Sequence, residues 1–325
     1  ALRLGLRRFA GANRPDVIVG SVPGLPTLPA ALALGRGLRR PVVVELRDAW
    51  PDILASAANW GSSPGRAGSR WSRVRRAALS GVRDAIPPVV TRLEREAAAI
   101  VTTTDSFARV LRGRGMGRVV TVRNTAVPRD WALPAVPREQ PDEALHVLYL
   151  GTVGRAQGLR SAVRAAALAR AQGTRMVLRI VGEGADLAPT RHEAEELGAP
   201  VEILPMVPAD RVAAHYAWAD SVLVSLQDWP SMELTVPSKL YEVMATGRHV
   251  SVAAAGAAGR IVKASRSGDV VPPQDPAALS RLWQELAADR DRLVVTGGGP
   301  WLEAHASCSA LLDRYEAVLE RTAHA

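Results

Sequence analysis

The sequence predicts an α/β protein made of two doubly wound parallel sheets. Three observations lead there: strand-like apolar runs alternate with helical patterns, a proline-rich stretch interrupts the alternation once before it restarts, and 325 residues suit two domains of ordinary size. Such alternation calls for right-handed βαβ crossovers, with helices covering both faces of each sheet.

In the first part, Asp16 to Gly20, Pro41 to Leu46, Ala98 to Thr103 and Arg118 to Arg123 read as strands separated by helical patterns. The stretch from Asn124 to Leu145 carries Pro128, Pro134, Pro137 and Pro141, which oppose helix continuation and central strands alike. The linker is therefore set at 128–144. Beyond it LHVLYLG, MVLRIVG, VEIL, SVLVSL, HVSVAA and GDVVPP give six strand candidates with intervening helices. The expected domains are 1–127 and 145–305, with a C-terminal helix at 306–325 that could pack back on the first domain. Four strands serve the first domain, and its opening helix has no strand before it to make a parallel crossover, so an absent N-terminal stretch is expected.

With 47% hydrophobic and 22% charged residues the chain can bury a sizeable core and is not globally disordered. Cys308 is the only cysteine, which excludes an internal disulfide and a multi-cysteine zinc site and suits a reducing, cytoplasmic setting. The six histidines show no metal-ligand spacing, so no metal is expected. The longest mildly apolar stretch, His249 to Gly259, is shorter than the roughly 18 residues a membrane span needs. The net charge of +9 favours an anionic partner. Two Phe, four Tyr and dispersed Trp argue against stacked nucleic acid as that partner. The basic segment Arg66 to Arg83, with Trp71, Val74, Ala78, Leu79 and Val82 at partly helical spacing, could lie on an anionic membrane surface. Asp289-Arg290-Asp291 reads as a solvated helix end, and Cys308, within a helical pattern, as a packed residue.

Ligands of open α/β sheets bind beyond the carboxyl ends of the strands, where glycine turns and helix N-termini present amides to phosphate. Three segments suit that geometry. LYLGTVGRAQGL places Gly151, Gly154 and Gly158 between a strand and a helix, with Arg155 and Gln157 on the turn. It lacks the Gly-Lys-Ser/Thr ending of a P-loop. In RIVGEGADL, Gly182 and Gly184 would let a flat group approach the backbone. In VPSKLYEVMATG, Pro237 suits a first helical turn, Ser238 and Lys239 stand at its free amides, Gly247 suits the helix end, and Glu242 lies one turn on, placed to accept from ribose hydroxyls.

These stations, in this order, resemble a GT-B glycosyltransferase of family 4, especially bacterial members that build surface polysaccharides. DRVAAHYAWADSVLVSL, PSKLYEVMATGRHV and SGDVVPPQDPAAL continue the likeness in the second half, and RPDVIVGSVP and PVVVELRDAWPD carry it in the first. The resemblance implies two Rossmann-like domains, the first incomplete, and a retaining transferase. It would move a sugar from a nucleotide diphosphate sugar, UDP-linked by expectation, to a glycan or lipid-linked acceptor, with no bound cofactor, from the inner face of the membrane. It also implies that Glu242 is the second glutamate of the family's Glu-x7-Glu motif. The first would fall at Leu234, with Glu233 one residue out of register. The family's Arg and Lys on the glycine turn correspond to Thr152 and Gln157, so Arg155 and Lys239 become the expected cations. Arg47 stands where many relatives carry a histidine, and Arg47 and Asp48 become candidates for orienting a sugar. The competing readings are a UDP-sugar 2-epimerase of the same fold and, last, a basic nucleic-acid-binding protein.

Overall fold

The computed structural model describes residue 9, residues 14–22, 26–53, 86–126, residue 133 and residues 144–324. The basic segment Arg66 to Arg83 and most of the proline-rich linker lie outside the described residues. Two compact units are present: unit 1 holds 1–123 and 309–325, and unit 2 holds 124–308.

In unit 1, β1 (Ile18–Val22), β2 (Val42–Leu46), β3 (Ala99–Thr102) and β4 (Val119–Thr121) form a parallel sheet in that order. Helix α1 (Thr27–Leu38) makes the first crossover, and two glycines let it lie close. A Cβ at Gly20 would stand 2.7 Å from Ala31, and one at Gly35 2.3 Å from Val42. Helix α2 (Asp105–Gly113) starts on Thr104, whose Oγ1 accepts from the Phe107 amide at 3.1 Å. Residues 86–94 are helical as well.

Unit 2 has a six-stranded parallel sheet in the order β10-β9-β8-β5-β6-β7. Its strands are β5 (Leu145–Leu150), β6 (Met176–Val181), β7 (Val201–Leu204), β8 (Ser221–Ser225), β9 (His249–Ala253) and β10 (Gly268–Val271). Its helices are α3 (Leu159–Ala171), α4 (Leu187–Glu196), α5 (Val212–Trp218), α6 (Ser238–Thr246), α7 (Ala257–Ser265), α8 (Pro276–Ala288) and α9 (Gly298–Ala306). The inner strands are buried on both faces, which is why they read as continuous apolar runs. Ala162, Ala165, Ala166 and Ala169 of α3 form a flat face that fits against β5, β6 and the wholly buried Trp283 of α8.

The last helix, α10 (Cys308–Ala323), belongs mostly to unit 1. Its Val318 is buried against Val43, Ala99 and Val101, with Tyr315 and Leu319 packed alongside.

Two local readings need correction. Cys308 opens α10 and is exposed, not packed, because the buried stripe of that helix falls on Leu311, Val318 and Thr322. Arg290 is not part of a solvated terminus. It is buried, and its Nη2 donates to Asp220 Oδ1 at 2.8 Å, while Asp220 Oδ2 accepts from the His146 amide, so the pair ties the turn after α8 to the starts of β5 and β8.

Candidate functional site

The strand order of unit 2 reverses between β5 and β8: the chain winds outward from β5 through β6 to β7, then from β8 through β9 to β10. A crevice opens beyond the carboxyl ends of the strands at such a reversal. Two segments reach it, the turn after β5 and the connection from β8 into α6.

The turn after β5 is braced from two sides. The Gln227 amide, just past β8, donates to Ala156 O at 2.8 Å, and Gly158, at φ 60°, lies against the Gln227 side chain. Gln274, beyond β10, donates to Gln227 Oε1. Within the turn the amides of Gly151 and Val153 donate to Val181 O and Glu183 O, and those of Gln157 and Gly158 to Gly154 O and Arg155 O. The Gly154 amide donates to Gln157 Oε1 at 3.1 Å. These five amides are bonded within the protein. Gln157 is a capping residue of the turn, and Arg155 stands exposed on its short 3-10 helix.

A Cβ at Gly182, at φ 153°, would stand 1.8 Å from Gly151 O, and one at Gly184, at φ 156°, would stand 2.2 Å from Val153 O. In the Cβ direction the neighbouring backbone approaches them closely. Their smallness zips the turns after β5 and β6 together and so shapes the wall of the crevice.

Helix α6 enters from that same end, since it descends from the carboxyl side of β8 toward the start of β9. Its start lacks a side-chain cap, with Pro237 at the N-cap at ψ 133° and Ser238 exposed as the first helical residue. The Leu240 amide donates to Pro237 O at 3.0 Å, which leaves the amides of Ser238 and Lys239 at the positive end of the helix dipole. Gly247, at φ 70°, ends the helix. Along the helix, Lys239 Nζ lies 3.2 Å from Glu242 Oε2 and 3.3 Å from Oε1. Tyr216 Oη, on the buried α5, donates to Glu242 Oε1 at 2.9 Å, and Arg248 Nε fixes the Tyr216 carbonyl at 2.9 Å. Lys239 and Glu242 thus form one half-buried ion pair locked from beneath by tyrosine. Ionised, the carboxylate has about four acceptor positions, so Oε2 can still accept from a ligand hydroxyl. Sequence reasoning missed Tyr216 because it lies 26 residues from Glu242 with no local signal.

Unit 1 supplies Arg47 and Asp48, just beyond the carboxyl end of β2. Arg47 Nη1 pairs with Glu45 Oε1 at 2.8 Å. Burial holds Asp48 above the usual carboxylate range, and the nearby Arg47 charge opposes that rise. Thr103 Oγ1 donates to the Arg47 carbonyl at 3.3 Å, which links the ends of β2 and β3.

A Ser-His-Asp alignment also crosses unit 2. Ser221 Oγ lies 2.9 Å from His249 Nδ1, His249 Nε2 3.1 Å from Asp269 Oδ2, and Ser251 Oγ 2.7 Å from Ser221 Oγ. Ser221, Ser251 and His249 are fully buried, so no substrate carbonyl reaches them. The network ties three strands together through side chains.

Paired α/β units and a strand-reversal crevice with a cation-bearing helix start define the GT-B class of fold. Comparison with known proteins agrees. Residues 144–289, within unit 2, match the family model described as Glycosyl transferases group 1. "Putative colanic acid biosynthesis glycosyl transferase WcaI" of Escherichia coli strain K12 is 23% identical over 256 residues. That alignment covers 74% of this chain and 58% of the relative's length. Among solved structures, Anabaena HepE in complex with UDP and glucose superposes with a TM-score of 0.71 at 16% identity, over 98% of this chain and 81% of that one. Sucrose-phosphate synthase from Thermosynechococcus elongatus gives 0.68 at 18% identity, over 97% and 75%. Together these show that the chain has the GT-B fold.

Proposed function

We propose that the protein is a retaining glycosyltransferase that moves a hexosyl or N-acetylhexosaminyl group from a nucleotide diphosphate sugar, UDP-linked, to a glycan or lipid-linked acceptor in surface polysaccharide synthesis. The observation that carries the proposal is the Tyr216–Glu242–Lys239 cluster on a helix whose uncapped N-terminus enters the strand-reversal crevice of unit 2. Glu242 accepts from the ribose hydroxyls, while Lys239 and the first amides of α6 hold the diphosphate. The UDP complex of HepE and the colanic acid role in the name of the Escherichia coli relative support the choice of donor and pathway class.

In the reaction the bond from the anomeric carbon to the diphosphate oxygen breaks, and a bond from that carbon to the acceptor oxygen forms. The acceptor proton passes to the departing diphosphate. The protein's contribution is electrostatic, since oriented amides and cations stabilise charge as it develops on the leaving group. Arg155, exposed on the turn after β5, adds a second cation, and Arg47 and Asp48 serve the acceptor sugar. Among the described residues no helix is long and apolar enough to cross a membrane, so a lipid-linked acceptor would be met at the surface.

Calorimetric titration with UDP tests the reading. Glu242→Ala should weaken binding by about 1.5 to 3 kcal/mol, the worth of a hydrogen bond to a charged group. UDP affinity equal to wild type in a folded Glu242→Ala protein would remove Glu242 from the site. A larger thermal stabilisation by GDP or ADP than by UDP would change the donor.

A further inference from the structure

We propose that the groove along the outer edge of β4 in unit 1 is a binding site for a phosphate-class anion, free phosphate or diphosphate or the phosphate of a lipid headgroup. The groove has a volume of about 410 Å³ and is lined by Arg112 of α2, Arg118 at the entry to β4, and Arg314 and Arg321 of α10, together with Asp105 and the strand itself. Among the described residues its one carboxylate, Asp105, is paired with Arg123 and also feels the charge of Arg314. Among the described residues no carboxylate pairs with any of the four lining guanidiniums. Four like charges therefore share one concave surface.

The arginines are also held in place. β4 is an edge strand, and its outward carbonyls accept from them: Arg112 Nη2 donates to Val119 O at 2.7 Å and Arg314 Nη1 to Thr121 O at 3.2 Å. Arg118 Nη1 reaches Arg321 O at 3.5 Å. Each guanidinium carries five N–H donors, so one bond fixes its position and leaves the rest of the fork for a ligand. Covering the strand edge accounts for Arg112 and Arg314. It does not account for Arg118 and Arg321, neither of which caps a strand carbonyl.

The geometry selects a tetrahedral oxyanion. Forks presented from α2, from the start of β4 and from α10 can each meet a different phosphate oxygen, whereas a planar carboxylate is filled by one or two. No aromatic side chain lines the groove to stack a base, so the phosphate is recognised without a nucleobase. All these residues belong to unit 1, so the inference is independent of the donor reading of unit 2.

The test uses the full chain and the variant Arg118→Gln/Arg321→Gln, which leaves the caps on β4 in place. One arm titrates sodium pyrophosphate by calorimetry, with Lys239→Gln/Glu242→Gln as the control that perturbs the crevice of unit 2. The other arm measures co-sedimentation with phosphatidylglycerol vesicles against phosphatidylcholine vesicles. A loss of about tenfold or more in pyrophosphate affinity, retained in the unit 2 control background, supports a site for soluble phosphate. A loss confined to phosphatidylglycerol vesicles supports the same site filled by a lipid headgroup. Equal binding by wild type and Arg118→Gln/Arg321→Gln in both arms, or no saturable binding by wild type in either, overturns the proposal.

Discussion

Glu94 closes the helical residues 86–94 of unit 1 with its carboxyl group in an unusual position. The residue is fully buried, and neither carboxyl oxygen has a hydrogen-bond partner. Burial is the main cause that pushes this group up to about 8 from an ordinary value of 4.5; the Arg114 charge pulls it down, and the Asp52 charge adds to the rise. Asp52 and Arg114 pair with each other, so Arg114 does not serve Glu94 alone. Between pH 4.5 and about 8 the folded chain therefore keeps a proton on Glu94 that the unfolded chain has released. Folding then takes up a proton, and stability falls as pH rises through that window. Full ionisation would cost on the order of 5 kcal/mol, less whatever relaxation recovers. Glu94→Gln removes the titration and keeps the shape. Urea denaturation followed by circular dichroism at pH 5, 7 and 9 should show a midpoint that drops across the series in wild type and drops distinctly less in Glu94→Gln, so that the variant becomes the more stable protein at pH 9. Parallel pH profiles for the two proteins would refute the reasoning.

Gly182→Ala should destabilise unit 2 by about 3 kcal/mol or more, because its Cβ would enter the Gly151 carbonyl and its φ suits glycine; thermal unfolding measures the loss, and a change within error would show that the two turns separate easily. Asp269→Asn should cost about 1 kcal/mol at pH 7, since Asp269 accepts from His249 Nε2 and pairs with Arg292. His249 is the first cause holding the Asp269 carboxyl below its ordinary 3.8, so this contribution is present above that pH and lost as pH falls further. The urea-midpoint gap between wild type and Asp269→Asn should accordingly close in acid.

The fold was legible because its strands are buried on both faces. VVVEL, LHVLYL, MVLRIV and SVLVS hold almost nothing but apolar or small residues, and such short runs between helical patterns have few other readings. Long-range pairing was not legible. Ser221, His249 and Asp269 meet because β8, β9 and β10 lie side by side in a particular register, and Arg290 reaches Asp220 across 70 residues. A polar residue in a buried strand carries no mark that says which neighbour will satisfy it. Arg290 read as solvated for that reason.

The glycines of unit 2 show how one residue type admits two readings. A glycine turn after a strand is ambiguous, because the absence of a Cβ admits a phosphate or another backbone equally well. Here Gly182 and Gly184 admit the turn after β5, whose amides the protein then uses itself, five of them donating to its own carbonyls and to Gln157. The start of α6 differs from that turn, since no side chain caps the helix and Lys239 stands in its first turn. Glu242 was singled out from the sequence, but its partner Tyr216 was not. The buried Tyr216 hydroxyl donates to Oε1 and so fixes the orientation of the carboxylate. On this argument Lys239 and Glu242 act as one unit, and removing the lysine also leaves a half-buried carboxylate without its cation. In calorimetric titration of Lys239→Ala, binding of the nucleoside should therefore weaken as well as that of the nucleoside diphosphate, with the larger loss for the diphosphate.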